Sequence, residues 1–275
     1  MTEIHYDAAQ QWVLNLTLAM MVLGLALDVR PKDFLRVVQT PKAPLIGLVA
    51  QFLLLPAFTC LLTLMLDLPA GVELGMILVA ACPGGALSNF ITHLSGGNTA
   101  LSISITAVSS VVAVVMLPIN FVFWAGLNPV ANELLLDINV NGFDILKSLL
   151  IVLAAPLILG FVIQKYLPTV GRWLHHILKY LSLIALVAFI LVAVLRNQAH
   201  FLNHFTMLFS VVLAHNALAL AIGYFSSRAA GLNLADKKAV TLEVGMQNSS
   251  LAIAIVFTQF NAEYGMALIS AFWGT

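Results

Sequence analysis

Eight apolar runs dominate this chain, at residues 11–28, 44–66, 71–95, 99–125, 144–165, 172–195, 203–227 and 235–259. Each is near the ~20 residues that a helix needs to cross the hydrocarbon core of a bilayer. Within hydrocarbon a backbone must satisfy its own N–H and C=O groups, which an α-helix does. The composition agrees: 61% of residues are hydrophobic and 9% charged, whereas a soluble domain carries about 25% charge. The chain therefore reads as an all-α polytopic membrane protein, one compact domain over residues 1–275 with no soluble module. A ninth run starts near Tyr264 and reaches Thr275, too short to cross. Nine spans are thus expected, the last one truncated, in a chain expected to continue in its full-length form. The stretch Met1–Gln10 holds Glu3 and Asp7 but no Lys or Arg. It lacks the basic start of a signal peptide, so the first run is expected to be retained.

Lys and Arg set the expected orientation, because they are enriched in cytoplasmic loops. With the N-terminus outside, one side holds Arg30, Lys32, Arg36, Lys42, Lys165, Arg172, Lys179, Arg228, Lys237 and Lys238, and the other only Lys147 and Arg196. The first side reads as cytoplasmic. Asp67, Glu133, Asp137 and Glu263 fall outside, the longest outer loop being 126–143. Net charge is zero, so nothing favours nucleic acid. No obligatory protein partner is evident. Cys60 and Cys82 lie in apolar runs without disulfide or metal spacing and read as small fillers.

Two runs are interrupted by polar, glycine-marked stretches: Cys82-Pro83-Gly84-Gly85-Ala86-Leu87-Ser88-Asn89 and Glu243-Val244-Gly245-Met246-Gln247-Asn248-Ser249-Ser250. They fall in opposite halves. One run earlier, Gln51 precedes the first and His215-Asn216 the second, which suggests an internal repeat. Interrupted segments at matching places in two halves point to the binding site of a secondary transporter.

Glu243 is the one acidic residue expected well inside a run. A charge there costs about 2.5 to 3.5 kcal/mol even on the lenient insertion scale, and no Lys or Arg falls at matching depth. Such a carboxylate takes a proton or binds a cation. Gln247 shares its helical face, and Ser102 and Thr106 share a face of the fourth run. Ser88 and Asn89 follow a proline and two glycines, where non-helical dihedrals and an unwound backbone are expected. Carboxylate, amide, hydroxyl and carbonyl oxygens are hard ligands; one carboxylate among neutral oxygens suits a monovalent ion, sodium or a proton. The blander reading makes Ser102 and Thr106 packing residues and His215 and Asn216 a helix–helix hydrogen bond. It leaves His93, Ser95 and Asn98 at a helix end, and His175, His176, His200 and His204 solvated.

Ala81–Asn89, Gly97–Ser102 and Glu243–Ser249 together resemble the bile acid:sodium symporter family, its bacterial members most. The resemblance runs from about residue 14 to the end. It implies two inverted repeats forming a panel domain (11–28 and 144–195) and a core domain (44–125 and 203–275), with discontinuous helices 71–95 and 235–259 crossing in the core. The family's first helix is expected to be missing, since only about ten polar residues precede the first run. The resemblance also implies two sodium ions as coupling ions and no other cofactor. Ser88, Asn89, Ser102, Thr106 and Glu243 would form one sodium site. Gln51, Glu243, Gln247 and the carbonyls of Val244 and Met246 would form the other. The implied activity is sodium-coupled symport of an organic anion, a bile acid-like steroid or small carboxylate. Half-helix N-termini favour anions, which makes Ala86, Leu87 and Asn248 the substrate candidates. A sodium/proton antiporter of similar fold is the alternative; it would be expected to carry a pair of mid-membrane Asp residues, or an Asp with a Lys. No HExxH, paired intramembrane aspartates or GxSxG with a base suggests an enzyme. A channel or structural protein would need no lone carboxylate at two symmetric breaks.

Overall fold

The computed structural model describes residues 8–137, 142–196, 198–260 and 263–274. The tail before Ala8 and the tip of the 126–143 loop lie outside these residues, as do the side chains of Asp137, Lys179, Arg196, His200 and His204. Within the described residues fourteen α-helices follow one another: α1 Ala8–Asp28, α2 Pro31–Gln39, α3 Lys42–Val49, α4 Leu55–Leu66, α5 Ala70–Ala81, α6 Ala86–Leu94, α7 Thr99–Leu127, α8 Pro129–Asp137, α9 Gly142–Tyr166, α10 Pro168–Arg196, α11 Gln198–Ala229, α12 Leu234–Gly245, α13 Ser249–Gln259 and α14 Tyr264–Gly274. Among the described residues four stretches are long and apolar enough to cross a membrane: Lys42–Leu66, Thr99–Leu127, Phe143–Tyr166 and Phe205–Ala229. Asn15–Leu27, Ala70–Ala81, Ser249–Gln259 and Tyr264–Trp273 are shorter apolar helices. The runs 71–95 and 235–259 are each split, the first at 82–85 and the second at 246–248.

Two helices were not foreseen. The expected outer loop is largely α8. The connection after the first run is α2, with Pro31 in its first turn and Arg30 N donating to Asp33 Oδ2 at 3.3 Å. Proline suits a first turn because its missing N–H has no helical partner there anyway.

The interior forms where α5, α7, α13 and α14 meet. Leu74, Ile77 and Leu78 of α5 pack with Leu117 and Phe121 of α7, Ile253 and Val256 of α13, and Met266 of α14. Outward-facing positions such as Leu61, Leu64, Ile151, Ile158, Phe209 and Leu213 stay exposed, as expected where lipid tails are the solvent.

The span from Lys42 to Leu66 is irregular at its middle. A π-helical turn, Ala50–Leu54, joins α3 to α4. Pro56 has no N–H to offer the carbonyl of Phe52 four residues back. Asn120 of α7 supplies the missing donor, its Nδ2 lying 2.9 Å from Phe52 O, and its Oδ1 accepts from Trp124 Nε1 at 3.2 Å. The turn also carries Gln51, fully buried, toward the interior. Asn120→Ala removes the partner of buried Phe52 O and of half-buried Trp124 Nε1 and is expected to cost about 1–3 kcal/mol, seen as a lower Tm in detergent. Val115→Ala, on an exposed position of the same helix, is expected to change stability by no more than about 0.5 kcal/mol.

Candidate functional site

The two breaks meet each other. The backbone at 82–85 and 246–248 is not helical, with Cys82 at φ −69°, ψ 155° and Gly85 at φ −113°, ψ 167°, both extended. Gly85 N donates to Met246 O at 3.3 Å, and Asn248 N donates to Pro83 O at 2.9 Å. Gly84 and Gln247 thus form a single antiparallel bridge inside an otherwise helical interior. Each break supplies what the other lost when its helix stopped.

The non-helical, unwound backbone expected at these glycines is what the structure has. Neither Gly84 nor Gly85 has a positive φ; among the described residues only Asp67, Gly96 and Gly231 do. Gly84 is required by proximity: a Cβ there would fall 2.1 Å from Glu243 Oε1. Gly245 is similar, a Cβ meeting Leu220 Cδ2 at 2.2 Å. The glycines let two chains and a carboxylate approach.

Glu243, on the last turn of α12, is fully buried. Its Oε2 lies 2.6 Å from Ser88 Oγ and 3.1 Å from Ser102 Oγ, and its Oε1 lies 2.7 Å from Thr106 Oγ1. Asn89 Oδ1 joins the group, 2.7 Å from Ser102 Oγ and 3.2 Å from Thr106 Oγ1. All five residues expected at the first sodium site are therefore joined in one hydrogen-bonded network, brought from α6, α7 and α12. The spacing of Ser102 and Thr106 puts both hydroxyls on one face of α7, as read from the sequence. No Lys or Arg among the described residues pairs with Glu243.

The chemistry of this group is unbalanced. Three hydroxyl protons face both Glu243 oxygens, Asn89 Oδ1 and the carbonyls of Gly85 and Ser102, the last two at 2.7 Å from Ser88 Oγ and 3.0 Å from Thr106 Oγ1. A hydroxyl donates one proton but offers two acceptor lone pairs. Acceptor oxygens thus outnumber donors in a buried space, which is the donor set a hard cation takes.

The second set is linked but looser. Gln51 Nε2 donates to Gln247 Oε1 at 3.3 Å, and Gln247 Nε2 donates to Val244 O at 2.8 Å. Gln51 Oε1 is buried without a partner. An unpaired buried oxygen costs about 1–3 kcal/mol, and this one belongs to the side chain that reaches Gln247 in the second break. The carbonyl of Met246 accepts from Gly85 N.

Of the substrate candidates, Ala86 and Leu87 are exposed at the start of α6, where no side chain caps the helix. Asn248 differs: its Oδ1 accepts from Leu251 N at 3.0 Å and caps α13, leaving its amide N–H₂ as the group that can face outward.

The His215-Asn216 pair matches the bland reading. His215 Nε2 lies 2.8 Å from Thr59 Oγ1, and Asn216 Nδ2 donates to Gly245 O at 2.8 Å. The second bond caps a carbonyl orphaned by the break. Further ties were not legible as such. Asn98 Nδ2 donates to Asp236 Oδ1 at 2.7 Å, Asn98 N to Ala235 O at 3.0 Å and Lys238 Nζ to Ser95 O at 2.6 Å, joining α12 to the α6–α7 turn. Glu73 is buried too, accepting from Leu68 N at 2.9 Å and from Asn128 Nδ2 at 2.7 Å. His175 is half-buried with Nδ1 3.3 Å from Gly24 O, and His176 is partly exposed.

Sequence comparison places this arrangement among known proteins. The Sodium Bile acid symporter family matches residues 15–204. The uncharacterised sodium-dependent transporter YocS of Bacillus subtilis is 31% identical over 248 residues, 90% of this chain and 74% of that protein. The "Probable sodium/metabolite cotransporter BASS1, chloroplastic" of Arabidopsis thaliana is 31% identical over 254 residues, 90% of this chain and 59% of that protein. The P3 protein of Homo sapiens is 30% identical over 218 residues, 79% of this chain and 45% of that protein.

Gly84→Ala and Gly85→Ala make a sharp pair. At Gly85 the nearest atom to a Cβ is 3.7 Å away, in ordinary contact. Gly84→Ala forces Glu243 aside and is expected to destabilise by about 1–3 kcal/mol as overpacking, whereas Gly85→Ala stays near wild type. Thermal melts in detergent read both.

Proposed function

Because the chain belongs to the sodium bile acid symporter family, we propose that it is a sodium-coupled symporter of an organic anion, working by alternating access in the cell membrane with its N-terminus outside. The observation that carries this reading is the acceptor-rich cage around Glu243, built from Ser88, Asn89, Ser102 and Thr106. In this reading one sodium ion takes that cage. A second lies by Gln51, Gln247, Glu243 and the carbonyls of Val244 and Met246, where Gln51 Oε1 has no partner. The hydroxyls then turn their lone pairs to the ion and release Glu243 from its hydrogen bonds.

Two sodium ions with one monoanion move one net positive charge. The membrane potential adds about 2.3 kcal/mol per 100 mV to the sodium gradient. Sodium neutralises Glu243, so an organic anion can approach the uncapped N-terminus of α6 at Ala86 and Leu87, with the Asn248 amide opposite. The substrate class is a bile acid-like steroid or a small carboxylate. In the proposed architecture, nine spans form two inverted repeats. A core (44–125 and 203–275), with broken helices 71–95 and 235–259, moves against a panel (11–28 and 144–195). The direct pairing of the two breaks and the contacts of α1 with α9 and α10 support that division.

Thermal stability of the purified full-length protein in sodium against choline tests the reading. Binding to the folded state adds RT ln(1 + [L]/Kd), so sodium at about 100 times Kd raises stability by about 2.7 kcal/mol. Glu243→Ala is expected to lose that shift. A wild type indifferent to sodium but responsive to pH would replace this reading with a proton-coupled carrier.

A further inference from the structure

The short helix α2 joins the first apolar helix to the span that starts at Lys42, on the side read as cytoplasmic. At nine residues it cannot cross a bilayer. Its two faces differ. Asp33 is buried against the protein and Arg36 is partly buried, whereas Leu35 is 57% exposed and Val38 75%. Lys32, one turn before Leu35 and Arg36, is exposed as well. From Arg30 to Lys42 four cations stand against one carboxylate. Apolar side chains turned outward with cations beside them are the pattern of a helix that lies in the membrane interface.

Where α2 gives way to α3, a slot of about 240 Å³ opens. It is lined by Arg36, Thr40 and Lys42 from the α2–α3 link and by Asn98 and Asp236 at the starts of α7 and α12. A larger cleft reaches Asn89 and Thr106, and Arg36 is the one residue that borders both. The slot is smaller than the ~300 Å³ at which pockets for whole organic ligands begin. Its carboxylate is spent: Asp236 Oδ1 accepts from Asn98 Nδ2 at 2.7 Å, and Oδ2 from Asn233 Nδ2 at 2.6 Å. Thr40 Oγ1 donates to Arg36 O at 3.0 Å. Arg36 uses Nη1 on Ala100 O at 3.0 Å and Ser104 Oγ at 3.2 Å, with Asp33 Oδ1 4.0 Å away. A guanidinium has five N–H donors, so others remain. Lys42 is exposed, and its Nζ has no partner among the described residues. The unspent groups of the slot are cationic donors.

We propose that the slot holds the phosphate of an anionic phospholipid between Arg36 and Lys42, with the acyl chains running along the exposed apolar face of α2 at Leu35 and Val38. Arg suits a phosphate because its planar fork can donate twice to the oxygens, and Lys adds a point charge. Anionic lipids of the cytoplasmic leaflet draw basic segments to the membrane surface. A soluble phosphate would meet the cations and leave Leu35 and Val38 uncovered, whereas a lipid answers both. Because Arg36 also grips α7 on either side of Ser102, a lipid held there fastens the α2–α3 link to the helix that carries the cage. The inference concerns the protein's solvent rather than its cargo, and it stands without the symport reading.

The test is a lipid titration of the purified full-length protein in detergent. Dioleoylphosphatidylglycerol or dioleoylphosphatidylcholine is added, and the rise in Tm gives an apparent affinity for each. The anionic lipid is expected to bind more tightly by about fivefold or more. Lys42→Gln is expected to weaken phosphatidylglycerol by about fivefold and to leave phosphatidylcholine as it was, while Lys42→Arg keeps both. Lys165→Gln removes an exposed cation at the end of α9 and is expected to keep wild-type affinity, which separates the slot from general surface charge. Leu35→Ser with Val38→Ser is expected to weaken the lipid through its chains. Equal affinity for the two lipids, wild-type affinity in Lys42→Gln, or an equal loss in Lys165→Gln overturns the proposal. A Tm rise with potassium phosphate, against potassium chloride at equal ionic strength, assigns the slot to a free anion and overturns it too. So does a Tm that follows protein concentration and ignores lipid, which assigns the face to a second copy of the chain.

Discussion

The arrangement depends on one short contact: two backbone hydrogen bonds that join the non-helical stretches at 82–85 and 246–248. Stopping a helix inside apolar surroundings orphans carbonyls and N–H groups that lipid cannot satisfy, at several kcal/mol for each. Two such stops are tolerable when they lie against each other and exchange donors. The pairing fixes where α6 starts and α12 ends, and so where Ser88, Asn89 and Glu243 stand. Asn216 completes it from α11 by bonding Gly245 O. The polar centre is a consequence of solving a backbone problem, and the side chains that make it useful are spaced from that point.

Within that centre the balance of protons decides the chemistry. Most buried polar groups in proteins find partners of opposite type. Around Glu243 the near neighbours are oxygens, and the protons available to share are too few. The one amide in that space, Asn89, turns its oxygen to Ser102 and Thr106. Burying a carboxylate this deeply among acceptors is unfavourable without a proton or a positive charge.

Much of this was legible in the sequence, for physical reasons. Long apolar runs announce helices because nothing else satisfies a backbone in hydrocarbon, and the runs at 44–66, 99–125 and 144–165 match helices closely. Glu243 stood out because a mid-membrane charge is costly, and Ser102 and Thr106 because helical periodicity pairs them. What stayed hidden was non-local. The reason for Gly84 lies in the other half of the chain, at Glu243. Asn120 could not be matched to Phe52 without knowing that Pro56 frees that carbonyl opposite α7. The amphipathic α2 is too short for a span and looked like a connection. Its Asp33 and Arg36 acquire meaning only when α7 is seen beside them.

The ties at the other end of the cage have a mechanical side. Asn98 and Lys238 pin α12 to the α6–α7 turn at one end, while the paired breaks pin the same helices at the other. A lattice clamped at both ends shears poorly. The three helices that surround Glu243 are therefore tied into a single stiff cassette. The energy of any rearrangement would then fall on the cassette's outer surfaces, where apolar side chains meet and few directional bonds need breaking.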